Sequence, residues 1–402
     1  MMELNGFISE YVTKRQESMF LSDIEDNKCE IYNNINEKSI LVIGGAGSIG
    51  SQYIKSILKY NPRSLTVVDI NENGLAELTR DLRSSSEIIV PESYITYAMD
   101  YASTMFEKMF INHGKYDIVA NFSAHKHVRS EKDIISVEAL IRNNLLNAKK
   151  LLDLLKKCPP DIYFCVSTDK AANPVNIMGA SKRLMEDLIF SYSNYFPVKT
   201  ARFANVAFSN GSLPDGFLSR MKKKQPISAP SDVLRYFVSP EESGQICMLA
   251  SVLGENRDIF YPKLKEKTMM SFEQIAKDLI ISNGYTVYEC ENERQAINLA
   301  AKLKNGSKEY PVYFSKSNTS GEKEYEEFYI ESESIDENRY KSLGVIINKE
   351  NVSTKKVEEL FKLFEDAFSN ENVTKDDIIK IIKSYLPEFM HIEKGKSLDE
   401  KM

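Results

Sequence analysis

Short apolar runs rich in β-branched residues recur between residues 38 and 205, and polar stretches with helical spacing separate them. The runs are 39–43 (SILVI), 65–68 (LTVV), 94–97 (YITY), 116–120 (YDIVA), 162–166 (IYFCV) and 198–203 (VKTARF). Between them, Gly50 to Leu58 and Val137 to Lys156 space their apolar residues as helices do. β and α units alternating at this length predict an α/β fold, a doubly wound parallel sheet covered by helices on both faces. After residue 205 the order loosens. Gly211, Pro214, Gly216, Pro226 and Pro230 interrupt the pattern, and 206–350 reads as a smaller substrate-binding lobe with some return to the first domain. Val352 to Phe368 and Lys375 to Tyr385 predict a helical tail over 351–402. Residues 1–37 read as a polar arm with one amphipathic segment, Ile8 to Phe20.

Charge narrows the classes of partner. The 402 residues carry a net charge of −6, and the densest basic cluster is Lys222-Lys223-Lys224. That argues against a nucleic-acid surface. No apolar run approaches the roughly 20 residues of a membrane helix. The five cysteines (Cys29, Cys158, Cys165, Cys247, Cys290) form no C-x-x-C pair, so neither a zinc site nor a disulfide framework is expected, and a cytoplasmic location is.

Gly44-Gly45-Ala46-Gly47-Ser48-Ile49-Gly50 joins the first strand to the first helix. Glycines at 44, 47 and 50 allow a tight turn and a close backbone approach, so the helix N-terminus, with Ser48 and Ile49 at its start, can face a pyrophosphate. Asp69 closes the second strand. A carboxylate there accepts hydrogen bonds from ribose hydroxyls and favours NAD over NADP. Asp100, followed by Tyr101, ends the third strand where an adenine would lie, and Ser123 follows the fourth.

The chemistry concentrates in residues 166–182, VSTDKAANPVNIMGASK. It starts at the end of a buried strand, where open α/β sheets place ligands. Thr168, Asp169 and Lys170 put a hydroxyl, a carboxyl acid and an amine at one rim, a set that can orient a sugar hydroxyl and move protons. A helix starting near Met178 places Lys182 one turn on, on the same face.

This segment resembles the extended short-chain dehydrogenase/reductase superfamily, whose Y-x-x-x-K has become Met178-x-x-x-Lys182. More narrowly it is similar to the CapD-like polysaccharide-biosynthesis branch of UDP-N-acetylglucosamine 4,6-dehydratases. Lys126-His127-Val128 with Glu131 resembles that branch's K-H-V-x-x-x-E, and Asn144 its helix asparagine. Arg202-Phe203-Ala204-Asn205-Val206 resembles R-F-G-N-V, Asn210-Gly211-Ser212 resembles N-G-S, and Arg235 with Phe237 resembles R-x-F. Residues 319–327 (TSGEKEYEE) resemble P-G-E-K-x-Y-E-E. Asn121 departs from the histidine often found there, and Ser123 and His125 replace small residues. Many Met-containing relatives also carry a long membrane-anchoring region that this sequence does not show.

The resemblance implies an internal redox cycle: hydride leaves C4 of the sugar for NAD, water is lost across C5–C6, and the hydride returns to C6. It implies Lys170 as base, Asp169 as acid, Thr168 on the C4 oxygen and Lys182 on the nicotinamide ribose. Lys170 would need a depressed pKa, from burial or a neighbouring cation such as Lys182. Met178 cannot act as the acid–base that tyrosine is, which points to the Met-containing, configuration-retaining branch. Arg235 is the expected diphosphate clamp, with Lys126, Asn144, Asn205, Ser212 and Lys323 as further substrate contacts. His125 and His127 lack partners spaced for a metal site. The implied substrate is UDP-N-acetylglucosamine, with the GDP sugar, a C5-inverting dehydratase, a 4-epimerase and an NAD-binding regulator as alternatives. A homo-oligomer is expected.

Overall fold

The structure is a computed structural model that describes residues 3–127, 131–317, 326–347 and 352–391. Three short helices, α1 (Leu4–Phe7), α2 (Leu21–Asp26) and α3 (Lys28–Ile35), form the N-terminal arm. The Rossmann alternation follows: β1 (Ser39–Ile43), α4 (Ser48–Leu58), β2 (Ser64–Asp69), α5 (Glu72–Ser84), β3 (Ser93–Ala98), α6 (Thr104–His113) and β4 (Ile118–Asn121). It continues with α7 (Ile134–Ile141), a π-turn over Arg142–Leu146, α8 (Asn147–Lys157), β5 (Ile162–Val166), α9 (Ile177–Ser191) and β6 (Val198–Ala201). β1 and β4 are buried along their whole length, which is why they read as continuous apolar runs and not as alternating ones.

The second half is woven from shorter pieces. They are β7 (Asn205–Val206), α10 (Leu213–Lys222), β8 (Ile227–Pro230), β9 (Leu234–Arg235), β10 (Phe237–Val238), α11 (Pro240–Leu253), β11 (Asp258–Pro262) and β12 (Met270–Ser271). Then come α12 (Phe272–Ser282), β13 (Thr286–Glu289), α13 (Glu293–Ala300), β14 (Glu309–Ser315), β15 (Ile335–Asp336) and β16 (Leu343–Ile347). The tail is α14 (Thr354–Phe368) and α15 (Lys375–Tyr385).

The main sheet has nine strands in the order β15-β16-β11-β6-β5-β4-β1-β2-β3. It is parallel from β3 to β11, and β16 and β15 add antiparallel strands at the far edge. The order reverses between β1 and β4, so a crevice opens at their carboxyl ends, where doubly wound sheets bind ligands. A second sheet, β13-β14-β8, is parallel and has its own core around Phe217, Ile227, Ile275 and Val312.

The arm is not a loose polar leader. Phe7, Ile8 and Val12 enter the second core, while Phe20, Ile31 and Ile35 enter the first. Arg15 forks onto both oxygens of Glu242 at 2.8 and 2.6 Å, and Glu242 also completes the capping box of α11 with Ser239. The tail docks as well. Val357, Leu360, Phe361 and Phe364 of α14 join the main core, and α14 lies against α9.

Candidate active site

The glycine turn is shaped by contact distances that leave no room for side chains. Gly44 has φ +74°, and a Cβ there would lie 2.7 Å from the backbone nitrogen of Ser123. A Cβ on Gly50 would strike the carbonyl oxygen of Gly44, so the helix start and the strand end touch through backbone alone. Gly45, not singled out from the sequence, packs as tightly against the Val67 side chain. Gly47 has only Gly44 O nearby, at 3.3 Å, and precedes the first turn of α4. Ser48 accepts a hydrogen bond on its hydroxyl from Asn210 N at 2.9 Å and so ties this turn to the second half of the chain. Ile49 lies half-buried beside it. Because a Gly50→Ala methyl meets backbone and not a flexible side chain, we expect that variant to lose about 1–3 kcal/mol of stability. Thermal unfolding with and without NAD should show both the drop and a smaller NAD-induced gain.

Asp69 accepts from Ala46 N at 3.0 Å with one oxygen and from Asn71 N at 2.9 Å with the other. It therefore fixes the turn while standing at its edge. Asp100 is an exposed cap that accepts from Ala102 N at 2.8 Å. The Tyr101 ring is buried, and its hydroxyl donates to the carbonyl of Asn143 at 3.0 Å. Ser123 is half-buried, its N–H held by Asn121 Oδ1 at 2.9 Å.

The π-turn after α7 swings Asn144 inward. Its amide accepts from His125 N at 2.8 Å and donates to His125 O and Ser181 Oγ, each at 3.0 Å. Asn144 is 2% exposed. The sequence suggested a substrate contact, whereas the structure engages the whole amide in bracing the β4 loop against α9.

Glu131 does similar work at the head of α9. Its two oxygens accept from Ile177 N at 3.0 Å and Met178 N at 2.8 Å, filling helix-end donors that would otherwise be unpaired. Asn176 caps Gly179 N beside it. His391, from beyond α15, lies 3.7 Å from Glu131. Met178 is 2% exposed, and no side-chain hydroxyl stands at that position. One turn on, Lys182 is 4% exposed and donates to the carbonyl of Val166, the last residue of β5, at 3.2 Å. Burial pushes its ammonium pKa down, against smaller opposing pulls from Cys165 and Glu186.

The acid and the amine stand at the end of β5. Asp169 Oδ1 accepts from the Thr168 hydroxyl at 2.6 Å, Lys170 N at 2.9 Å and Lys170 Nζ at 3.2 Å. Oδ2 of the same carboxylate is buried with no partner among the described residues. Lys170 Nζ also reaches Glu326 Oε1 at 3.3 Å, and Arg235 Nε lies 3.5 Å from that same oxygen. Two findings correct the sequence reading. Burial pulls the Lys170 pKa down, but Asp169 and Glu326 together outweigh it and hold the pKa above the usual lysine value. The cation that acts on Lys170 is Arg235, not Lys182.

Arg235 is buried, and β9 fixes it by pairing Leu234–Arg235 with Met270–Ser271. Asn205 stands nearby through the β7–β10 ladder, and its Nδ2 is buried with no partner among the described residues. Ser212 caps α10. The Lys126 side chain is exposed over part of its length, and burial of its amine lowers its pKa against a smaller opposing pull from Asp215. Lys323, with Val128 and residues 319–322 and 324–325 of the quoted motifs, lies outside the described residues. Glu326 was missed as a site residue: an E-E run reads as a solvated face, and nothing local marks one member as buried. Among the described residues no group of His, Cys, Asp and Glu is placed to hold a metal, and no helix is long and apolar enough to cross a membrane.

Sheet order, glycine turn and the Met178–Lys182 helix define the class, a Rossmann-type fold of the short-chain dehydrogenase/reductase type. Residues 40–347 match the family described as "Polysaccharide biosynthesis protein", and the chain belongs to that family. It is 29% identical over 280 residues to the probable polysaccharide biosynthesis protein EpsC of Bacillus subtilis, covering 68% of this chain and 45% of EpsC. It is 27% identical over 243 residues to an inverting UDP-N-acetylglucosamine 4,6-dehydratase of Campylobacter jejuni, covering 57% of this chain and 68% of that one. The chain thus spans under half the length of EpsC. Among solved structures, Pen from Bacillus thuringiensis superposes with a TM-score of 0.63 at 19% identity, over 83% of this chain and 98% of that one, a likeness of fold.

Proposed function

We propose that the chain is an NDP-N-acetylhexosamine 4,6-dehydratase that acts on UDP-N-acetylglucosamine with NAD as resident cofactor. One observation carries this reading: Asp169 has one oxygen saturated by Thr168 and Lys170 and the other bare and buried at the mouth of the crevice. A carboxyl so divided can hold a proton on the bare oxygen and deliver it to a leaving hydroxyl.

The cradle suits a dinucleotide. Gly44 to Gly50 bring backbone N–H groups to a helix N-terminus for the pyrophosphate, Asp69 stands at the ribose edge, and Lys182 lies beneath β5 where the nicotinamide ribose would sit. When bound, NAD supplies the site's hydride acceptor and donor. Thr168 then orients the C4 oxygen, Lys170 takes the C5 proton, and Asp169 protonates the departing C6 hydroxyl. The pair Lys170-NH3+ and Asp169-COO− is one proton transfer from the neutral amine and carboxylic acid that this step needs. Arg235 and Asn205 would receive the nucleotide and sugar oxygens. A cytoplasmic site of action fits the five free cysteines.

Incubation with UDP-N-acetylglucosamine, with the GDP sugar beside it, should yield a product lighter by one water. A product of unchanged mass but altered C4 configuration would replace the dehydratase reading with the 4-epimerase one. No change in either sugar, with NAD bound, would favour a regulator.

A further inference from the structure

Glu326 is the only carboxylate besides Asp169 that the described residues bring to Lys170 Nζ, at 3.3 Å. Its place is set two residues later, where the Phe328 carbonyl accepts from the buried Arg202 at 3.0 Å. Its Oε1 is shared between Lys170 and Arg235, while Oε2 is buried and has no partner among the described residues. An ion pair with only a structural task would not leave a buried carboxylate oxygen bare, because that costs the desolvation of the oxygen with nothing in return. Asp169, Glu326, Lys170 and Arg235 form a charge-balanced quartet in which each anion keeps one oxygen aimed away from the pairing.

We propose that Glu326 is a positioning residue of this site: it holds the Lys170 ammonium against Asp169 and links it to the cation at 235. The consequence for turnover rests on the dehydratase reading above; the charge coupling does not. Removing the negative charge leaves Lys170 with one carboxylate and the repulsion of Arg235, so the lysine surrenders its proton at lower pH. An opposite charge at this distance shifts a titration by about 1–3 pH units.

The test is an NMR titration of the full chain after reductive 13C-methylation of its lysines. The Lys170 signal is identified by its absence in Lys170→Arg. In Glu326→Gln its midpoint should fall by about one pH unit or more, while Glu327→Gln leaves it in place. Glu326→Asp, which keeps the charge, should restore the midpoint at least in part and provides a reading if the glutamine variant does not fold. With substrate, the limb of the rate profile that rises with pH should move to lower pH by the same amount, in kcat more than in KM. An unmoved Lys170 midpoint in Glu326→Gln, or a midpoint in Glu326→Asp that tracks Glu326→Gln and not wild type, overturns the proposal. A midpoint that moves in a chain that dehydrates no sugar nucleotide upholds the coupling and removes the dehydratase reading alone.

Discussion

Asp169→Asn should lower the rate of water loss from the sugar nucleotide by about 10²–10⁴-fold, the usual worth of a positioned proton donor. The substitution is close to isosteric. The asparagine carbonyl can keep the contacts that Oδ1 makes with Thr168 and Lys170, and the amide nitrogen takes the place of the bare Oδ2. What is lost is the dissociable proton. NAD binding, measured by fluorescence titration, should match wild type, because nothing in the turn from Gly44 to Gly50 touches Asp169. Lys170→Met should lose turnover to a similar extent. A rate in Asp169→Asn within tenfold of wild type would assign the acid elsewhere.

The largest effect on stability should come from Arg202→Met. Arg202 is fully buried, and its guanidinium serves Glu186 at 2.9 and 2.6 Å, Glu333 at 2.9 and 2.8 Å and the carbonyl of Phe328. Methionine fills much of the volume but leaves the buried Glu186 and the mostly buried Glu333 with Arg183 as the cation they share, and removing one partner of a buried pair costs about 3–5 kcal/mol. Urea unfolding should show that loss. Arg202→Lys should rescue little of it, since an ammonium cannot present two parallel N–H groups to each carboxylate. Wild-type stability in the methionine variant would mean that Glu186 and Glu333 find other partners or protons.

Five of the first six strands were legible because they are buried on both faces and read as continuous apolar runs, while β3, half-exposed at the sheet edge, was marked by its aromatic and β-branched residues. Ser39–Ile43 and Ile162–Val166 were placed to the residue, and the ends of the others within two positions. The tail helices were equally plain from their spacing. Three things were hidden. The arm looks polar because its apolar residues are shared between two cores, so neither face shows a full period. The return of β15 and β16 to the main sheet depends on pairing with β11, more than 70 residues earlier in the chain. Glu326 and the bracing task of Asn144 follow from what other elements bring beside them. The motif named the right neighbourhood for both, but it could not say that Asn144 faces protein while Glu326 faces Lys170.

The family likeness ends at residue 347, yet the chain's mechanical unit does not. α14 and α15 continue past that limit, put Phe361, Phe364, Ile378 and Ile382 into the main core, and reach with His391 to the glutamate that holds the head of α9. Each large apolar side chain so buried is worth about 1.5–3 kcal/mol. A fragment trimmed to the shared boundary would therefore bare the outer side of the very helix that presents Met178 and Lys182. The stretch shared with the family and the stretch that shares one core have different borders, and in this chain the second is the longer.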